Sequence, residues 1–368
     1  MDNWFALNNL NGIPTPSLVV YPGRITENIL RMISIGGGAE KIMPHVKTHK
    51  MAEIIRLHIS AGINQFKCST IAEAEMVALC GAKEIVLAMQ PTGFQIERFF
   101  SLVEKYPGSS FSTLIDCGSI LYQIADKAQK FNRIIHLWLD INNGMNRTGI
   151  EPGTEALELY KRACALPSVK MKGLHVYDGH IHDADPALRA KHSHDDFEKV
   201  GWLIDAISGS GLEAPVIIAG GSPTFPVHAG HKNTITSPGT TVLWDEGYAT
   251  RYKDLNFLQA AVIITRVVSR PAAGLLCLDL GHKAIAAEMQ HPRMKIMNLV
   301  VSEFLNHSEE HLVIKTPEAD KYPPGDVLYA VPWHICPTVP RYPAAYVAEN
   351  GLITGEWKID ARDRKISV

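Results

Sequence analysis

A lysine flanked by histidines stands where a short apolar run stops: Lys41-Ile42-Met43 leads into Pro44-His45-Val46-Lys47-Thr48-His49-Lys50. A lysine amine does covalent work when a pocket lowers its pKa through desolvation or nearby positive charge. A strand-end lysine crowded by His45, His49 and Lys50 meets that description, and it could hold an aldehyde cofactor as an imine. The plain alternative is a basic loop on the surface, because like-charged runs are commonly solvated faces. A second candidate is Arg147, set between two glycines in Asp140-Ile141-Asn142-Asn143-Gly144-Met145-Asn146-Arg147-Thr148-Gly149. Fixed in such a loop, a guanidinium offers a planar, permanently charged fork to a phenolate or phosphate, whereas a loose loop arginine is merely solvated. A third is His334-Ile335-Cys336. Residues two apart on an extended segment point to one side, so an imidazole and a thiolate could reach one divalent ion. Two ligands are too few for a structural zinc site and suit an open catalytic one.

The elements that must position these groups follow from the apolar pattern. From Ser17 to about Trp244, short apolar runs alternate with longer amphipathic segments, the pattern of repeated βα units around a parallel sheet. Candidate strands are Ile42 to Val46, Gln65 to Lys67, Glu84 to Ala88, Ser112 to Ile115, Ile134 to Asp140, Gly173 to Val176, Pro215 to Ala219 and Thr234 to Ser237. Helical patterns lie between them, at Ile71 to Leu79 and Ala156 to Leu166 among others. The number of strands suits a closed (β/α)8 TIM barrel over residues 13–255. In such a barrel chemistry sits where strands end and loops begin. Tyr177-Asp178-Gly179-His180 follows the sixth strand, and the turns Gly220-Gly221-Ser222 and Gly239-Thr240 follow the seventh and eighth. Glycine there lets backbone N–H groups approach a phosphate, although tight turns alone also use glycine. Beyond Asn256 the texture changes to β-type runs: Ala260 to Ser269, Leu275 to Asp279, Met297 to Val301, His311 to Lys315, Val327 to Val331 and Tyr346 to Ala348. These predict a separate, mostly β domain over 256–368, with residues 1–12 packed on it.

Composition bounds the partners. A chain of 368 residues with 46% hydrophobic and 20% charged content, net charge −2 and pI near 6.8 has no bias toward nucleic acid. No apolar run approaches the roughly 20 residues needed to cross a bilayer, and Met1 to Gly12 has neither a basic start nor an apolar core. Six cysteines without paired spacing read as reduced thiols, so a cytoplasmic protein is expected. Sixteen histidines cluster: His175, His180 and His182; His192 and His194; His228 and His231; then His334. Such clustering near strand ends favours polar site chemistry.

The segments around Lys47 and Arg147 resemble the pyridoxal-phosphate enzymes of the alanine racemase-like barrel group. The closer resemblance is to D-threonine aldolases and D-serine dehydratases. It runs through Thr15-Pro16-Ser17-Leu18, Ile71-Ala72-Glu73-Ala74-Glu75, Gly220-Gly221-Ser222-Pro223-Thr224, Ser237-Pro238-Gly239-Thr240 and Pro332-Trp333-His334-Ile335-Cys336-Pro337-Thr338. It implies an alanine racemase N-terminal-type barrel in which Lys47 carries pyridoxal 5'-phosphate and Arg147 contacts its phenolic oxygen. Tyr177 packs on its ring, and Gly220, Gly221, Ser222, Gly239 and Thr240 face its phosphate. His180 and His182 are candidate proton carriers, with structural histidines the plain alternative. The family carries a divalent metal at the position of His334 and Cys336. Thiolate favours softer ions such as Zn2+, while a carboxylate suits Mn2+ or Mg2+. The aldolases resembled have His-x-Asp there and the dehydratases His-x-Cys. Cys336 therefore points one way, while Trp333 and the Tyr177-Asp178-Gly179-His180 loop resemble the bacterial aldolase branch.

The implied activity is a lyase reaction on a small D-3-hydroxy amino acid: retro-aldol cleavage to glycine and an aldehyde, with dehydration to a keto acid and ammonia as the alternative. An amino-acid racemase would need a second base from the β domain and no metal. A non-catalytic cofactor carrier would not need the residues after Asn256. Related barrels pair head to tail, which implies a homodimer.

Overall fold

A proline inside a strand removes a ladder donor, and Pro44 does so in the segment expected to open the barrel. In the computed structural model, which describes residues 3–368, Ile42 to Val46 is therefore not a continuous strand. It nevertheless pairs on both sides. Met43 N donates to Thr236 O at 2.8 Å and His45 N to Pro238 O at 2.9 Å on one flank. On the other, Val46 N donates to Lys67 O and Lys67 N to Pro44 O, each at 3.0 Å. Lys47 is the next residue.

The chain forms two compact units. One comprises Leu30–Lys47, Ile55–Gly239 and Asp363–Val368; the other comprises the segment ending at Ile29, Thr48–Ile54 and Thr240–Arg362. Strand β1 (Ser17–Val20) belongs to the second unit. The first unit is a parallel sheet whose strands follow chain order: β2 (Gln65–Cys68), β3 (Glu84–Leu87), β4 (Ser110–Ile115), β5 (Ile135–Ile141), β6 (Val169–Val176), β7 (Val216–Ala219) and β8 (Thr234–Thr236). The segment around Pro44 pairs with β8 at Ile42↔Thr236 and with β2 at His45↔Lys67, so it closes the curled sheet as the eighth stave. This is the expected α/β barrel. Helices Ile71–Leu79, Phe94–Lys105, Gly118–Lys130, Thr154–Cys164 and Pro186–Gly209 connect the strands. Helix Ile71–Leu79 starts on a reciprocal cap: Thr70 Oγ1 accepts from Glu73 N at 3.1 Å, and the Glu73 carboxylate accepts from Ser69 N at 2.6 Å.

Met43, Val86, Leu114, Trp138 and Ile218 fill the barrel interior. Each such side chain contributes roughly 1.5–3 kcal/mol by leaving water. Lys67 on β2, Asp140 on β5 and His175 on β6 are buried without that gain, at 3%, 6% and 5% exposure. Buried charges and polar groups cost free energy unless partnered, which marks these three for chemistry. Gly173 in β6 lies at φ 153°, and a Cβ there would collide with the Val216 carbonyl oxygen of β7.

The second unit is a nine-stranded sheet built from β1 and β9 (Ala261–Ser269), β10 (Leu275–Leu278), β11 (Met294–Ile296), β12 (Glu303–His307), β13 (Leu312–Lys315), β14 (Val327–Pro332), β15 (Ala344–Glu349) and β16 (Leu352–Lys358). β1 lies antiparallel to β9 and parallel to β15. Phe5, Leu7, Val19, Tyr21, Val262, Ile264, Tyr329 and Val331 form its core, and Tyr21 Oη donates to Phe5 O at 2.6 Å. Phe5 and Leu7 thus dock on this sheet; Met1 and Asp2, which the expectation for residues 1–12 also covers, lie outside the described residues. Met297 to Val301 is a corrected expectation, since β11 ends at Ile296. Asn298 takes over the ladder with its side chain, accepting from Tyr329 N at 3.1 Å and donating to Val327 O at 3.2 Å. Among the described residues no helix is long and apolar enough to cross a membrane.

Candidate active site

Three basic groups of the barrel unit face one aromatic ring. Lys47 Nζ lies 5.6 Å from the centre of the Tyr177 ring, Lys67 Nζ 5.3 Å and Arg147 Cζ 5.2 Å. Each arrives from a stave end: Lys47 after the closing segment, Arg147 beyond β5 and Tyr177 one residue after β6. The arginine loop is held from within. Asn142 Oδ1 accepts from Gly144 N at 3.2 Å and from Asn146 N at 2.9 Å, and Asn146 sits at φ 54°. Gly149 N donates to Asp116 Oδ2 at 3.2 Å, and Ile150 bridges back to Ile141. The expected trio of Lys47, Arg147 and Tyr177 is therefore brought together by strand ends and a pinned loop.

Lys67 was not among the expected site residues. Burial, then the charges of Lys47 and Arg147, push its amine down to about 7, while Asp140 and Asp178 oppose them. Its Nζ lies 3.5 Å from His175 Nε2, and His175 Nδ1 lies 2.7 Å from Asp140 Oδ1. Burial also lowers His175, against the hydrogen bond that its Nδ1–H donates to Asp140. The available signal was a lysine inside the run Gln65-Phe66-Lys67-Cys68, where a charge interrupts an otherwise buried strand.

A second buried network shapes the glycine turns. Asp178 Oδ2 lies 2.7 Å from His228 Nε2, and Thr224 Oγ1 donates to Asp178 Oδ1 at 2.7 Å. Burial raises the Asp178 carboxyl, but His228 and Thr224 outweigh it and hold the group below its usual range. Gly221 N donates to Thr224 Oγ1 and Gly239 N to Ser222 Oγ, both at 3.1 Å, so the turns after β7 and β8 are fixed to one another and to Asp178. Gly220 lies at φ 76°, and a Cβ on Gly221 would come within 3.1 Å of the Tyr177 ring. A Cβ on Gly220 would come within 3.0 Å of the Phe225 backbone, so neither position has room for a side chain.

His180 stands with Asp196 of helix Pro186–Gly209, Nε2 to Oδ2 at 2.7 Å. Its Nδ1 is buried without a hydrogen-bond partner. Among the described residues it makes no hydrogen bond or ring contact with Lys47, Arg147 or Tyr177; it stands beside the arginine loop, where a Cβ on Gly144 would come within 3.1 Å of its Nε2. His182 is exposed.

In the β unit, His334 and Cys336 follow β14. Asp245 fixes the peptide between them by accepting from Ile335 N at 3.0 Å, and burial raises its carboxyl to about 6. His334 Nδ1 lies 2.6 Å from Glu288 Oε1. Cys336 Sγ lies 3.2 Å from Thr48 Oγ1 and 3.4 Å from Thr240 Oγ1, so Thr240 stands with the thiol. Burial pushes the Cys336 thiol up, but the His334 imidazole beside it holds it below its ordinary value; the imidazole is raised in turn against its own burial. Among the described residues no group of three or more His, Cys, Asp and Glu side chains converges on a metal position. The pair fits an open site as donors: a thiolate, and an imidazole whose Nδ1 is already committed.

A parallel barrel that closes on a lysine stave, followed in the chain by a β domain, defines the alanine racemase-like class of folds. The chain belongs to the alanine racemase N-terminal domain family, which matches residues 20–246, and a putative serine dehydratase domain matches residues 260–348. A D-threonine aldolase of Arthrobacter sp is 24% identical over 357 residues, covering 95% of this chain and 93% of that protein. A 3-hydroxy-D-aspartate aldolase of Paracoccus denitrificans (strain Pd 1222) is 25% identical over 368 residues, covering 96% and 93%. Among solved structures, D-threonine aldolase from Filomicrobium marinum superposes with a TM-score of 0.86 at 22% identity, covering 95% of each chain. D-threo-3-hydroxyaspartate dehydratase from Delftia sp. HT23 gives 0.82 at 20% identity, covering 95% of this chain and 98% of that one.

Proposed function

We propose that this protein is a pyridoxal-phosphate- and divalent-metal-dependent lyase that cleaves a D-3-hydroxy amino acid to glycine and an aldehyde. The carrying observation is the convergence of Lys47 and Arg147 on the Tyr177 ring in a barrel of this family. Lys47 would hold the cofactor covalently, Arg147 would take its phenolic oxygen, and the turns at Gly220, Gly221, Ser222 and Gly239, with Thr240 continuing the last, would take its phosphate. When bound, the cofactor supplies an electron sink at the substrate α-carbon, and a metal supplies Lewis-acid polarisation of the neighbouring hydroxyl. His334 through Nε2 and Cys336 through Sγ would hold that metal, with Zn2+ the ion the thiolate favours over Mn2+ or Mg2+.

The remaining work belongs to proton-bearing side chains. With Nε2–H donated to Asp196, His180 keeps a lone pair at Nδ1 that takes the hydroxyl proton.

Cys336 and the serine dehydratase match favour a second reading, in which Lys47 takes the α-proton, the 3-hydroxyl leaves as water, and water hydrolyses the resulting enamine to a keto acid and ammonia. Product analysis of cofactor- and metal-loaded protein separates the two. Glycine with acetaldehyde from D-threonine supports the aldolase, 2-oxobutanoate with ammonia supports the dehydratase, and L-amino acid alone contradicts both. A cytoplasmic homodimer completes the proposal. Six free cysteines support the reducing compartment, and light scattering at the mass of one 40.6 kDa chain would contradict the dimer.

A further inference from the structure

We propose that Lys67 is the proton acceptor for Lys47, with His175 and Asp140 as the chain that holds the accepted proton; this rests on the reading of Lys47 as the cofactor-holding amine. A lysine attacks an aldehyde only as the free amine, so its ammonium proton must first go somewhere, and at the half-buried Lys47 a neighbouring amine competes with bulk water as acceptor. Lys67 is placed for the task. Both amines lie near the same aromatic side chain, 5.6 and 5.3 Å from the centre of the Tyr177 ring. Lys67 is inward on β2, whose Lys67 N and O hydrogen-bond the closing segment that ends at Lys47.

The titratable groups facing Lys67 come from three staves: Lys47 after the closing segment, Asp140 on β5 with Arg147 beyond it, and His175 on β6 with Tyr177 and Asp178 beyond it. Neither carboxylate hydrogen-bonds the amine directly. Asp140 is engaged by His175 Nδ1 at 2.7 Å and Asp178 by His228 and Thr224. The amine is thus buried among cations with its acids at one remove, a setting that keeps it neutral near pH 7 and able to accept.

The transfer balances. One proton leaves the Lys47 nitrogen, whose bonding pair stays behind as the attacking lone pair, and adds to the Lys67 lone pair; nothing is oxidised. The new Lys67 N–H points at His175 Nε2, 3.5 Å away, while Asp140 holds the Nδ1 proton and fixes that tautomer.

The test is the rate at which cofactor-free protein captures added pyridoxal phosphate, followed by absorbance between pH 6 and 9, with Lys67→Met, Lys67→Arg and His175→Gln beside the parent. A general-base contribution is roughly 10²–10⁴-fold, so both Lys67 variants should capture about a hundredfold more slowly at pH 7 and lose the parent's inflection near 7. His175→Gln should move that inflection while retaining capture. Arginine keeps the charge and cannot accept a proton. Parental rates and pH profile in Lys67→Arg therefore overturn the relay, even if Lys67→Met fails to fold. A parent that captures no cofactor overturns both this inference and the reading of Lys47, whereas normal capture by the Lys67 variants overturns only the relay.

Discussion

His334 commits its Nδ1 to Glu288, 2.6 Å away, which leaves Nε2 as the nitrogen that would bind a metal. Carboxylates in that position orient a metal-binding imidazole, and their loss weakens metal binding roughly 10–100-fold. Glu288→Gln should therefore lower zinc affinity by about that factor in chelator competition, and unchanged affinity would remove the metal assignment from His334. Cys336→Ala should lose the metal outright by elemental analysis. At this scale the sequence was half legible. Lys47, Arg147 and Tyr177 could be picked out because strand ends are where a barrel places chemistry. Lys67 could not, because only the register with β3 and the closing segment shows that its side chain points inward. Glu288 carries no local signal, being 46 residues from the histidine it touches. The clusters His175, His180 and His228 were visible as histidines, but burial divides them among three different acids: Asp140, Asp196 and Asp178.

At the scale of elements, alternation of apolar runs and helices located the staves because parallel strands are buried on both faces. The closing segment is the instructive case: Pro44 denies it a regular ladder, yet hydrogen bonds at Met43, His45 and Val46 hold it, and Lys47 with it, in place. Gly173 is the tightest point between β6 and β7. Gly173→Ala must push the β6 and β7 backbones apart or abandon φ 153°, and overpacking with strain of this kind costs roughly 1–3 kcal/mol. A Tm lower by several degrees is expected; an unchanged Tm would contradict the register of β6 on β7. The expected strand at Met297 to Val301 failed because a side chain, Asn298, replaced backbone pairing, a substitution that periodicity does not show.

At the scale of the molecule, residues far apart in sequence set the response to acid. Glu75, in helix Ile71–Leu79, accepts from Ser367 N at 3.0 Å, Val368 N at 3.2 Å and Tyr106 Oη at 2.8 Å. Burial raises its carboxyl, but those hydrogen bonds prevail and hold it at about 2. A group depressed on folding stabilises fully above its unfolded pKa and loses that contribution as pH falls through its folded value. Glu75 should therefore begin to withdraw support below about pH 4.5 and finish near 2. Glu75→Gln should flatten the loss of stability across that window, and an identical acid-unfolding curve would contradict the link.

Everything proposed for the chemistry starts from one amine at the closing stave. Borohydride reduction of the cofactor-loaded protein, followed by peptide mapping, reads that amine directly. The label should fall on Lys47 alone and vanish in Lys47→Ala. Label on Lys50 or Lys67 in the parent protein would contradict the account at its origin.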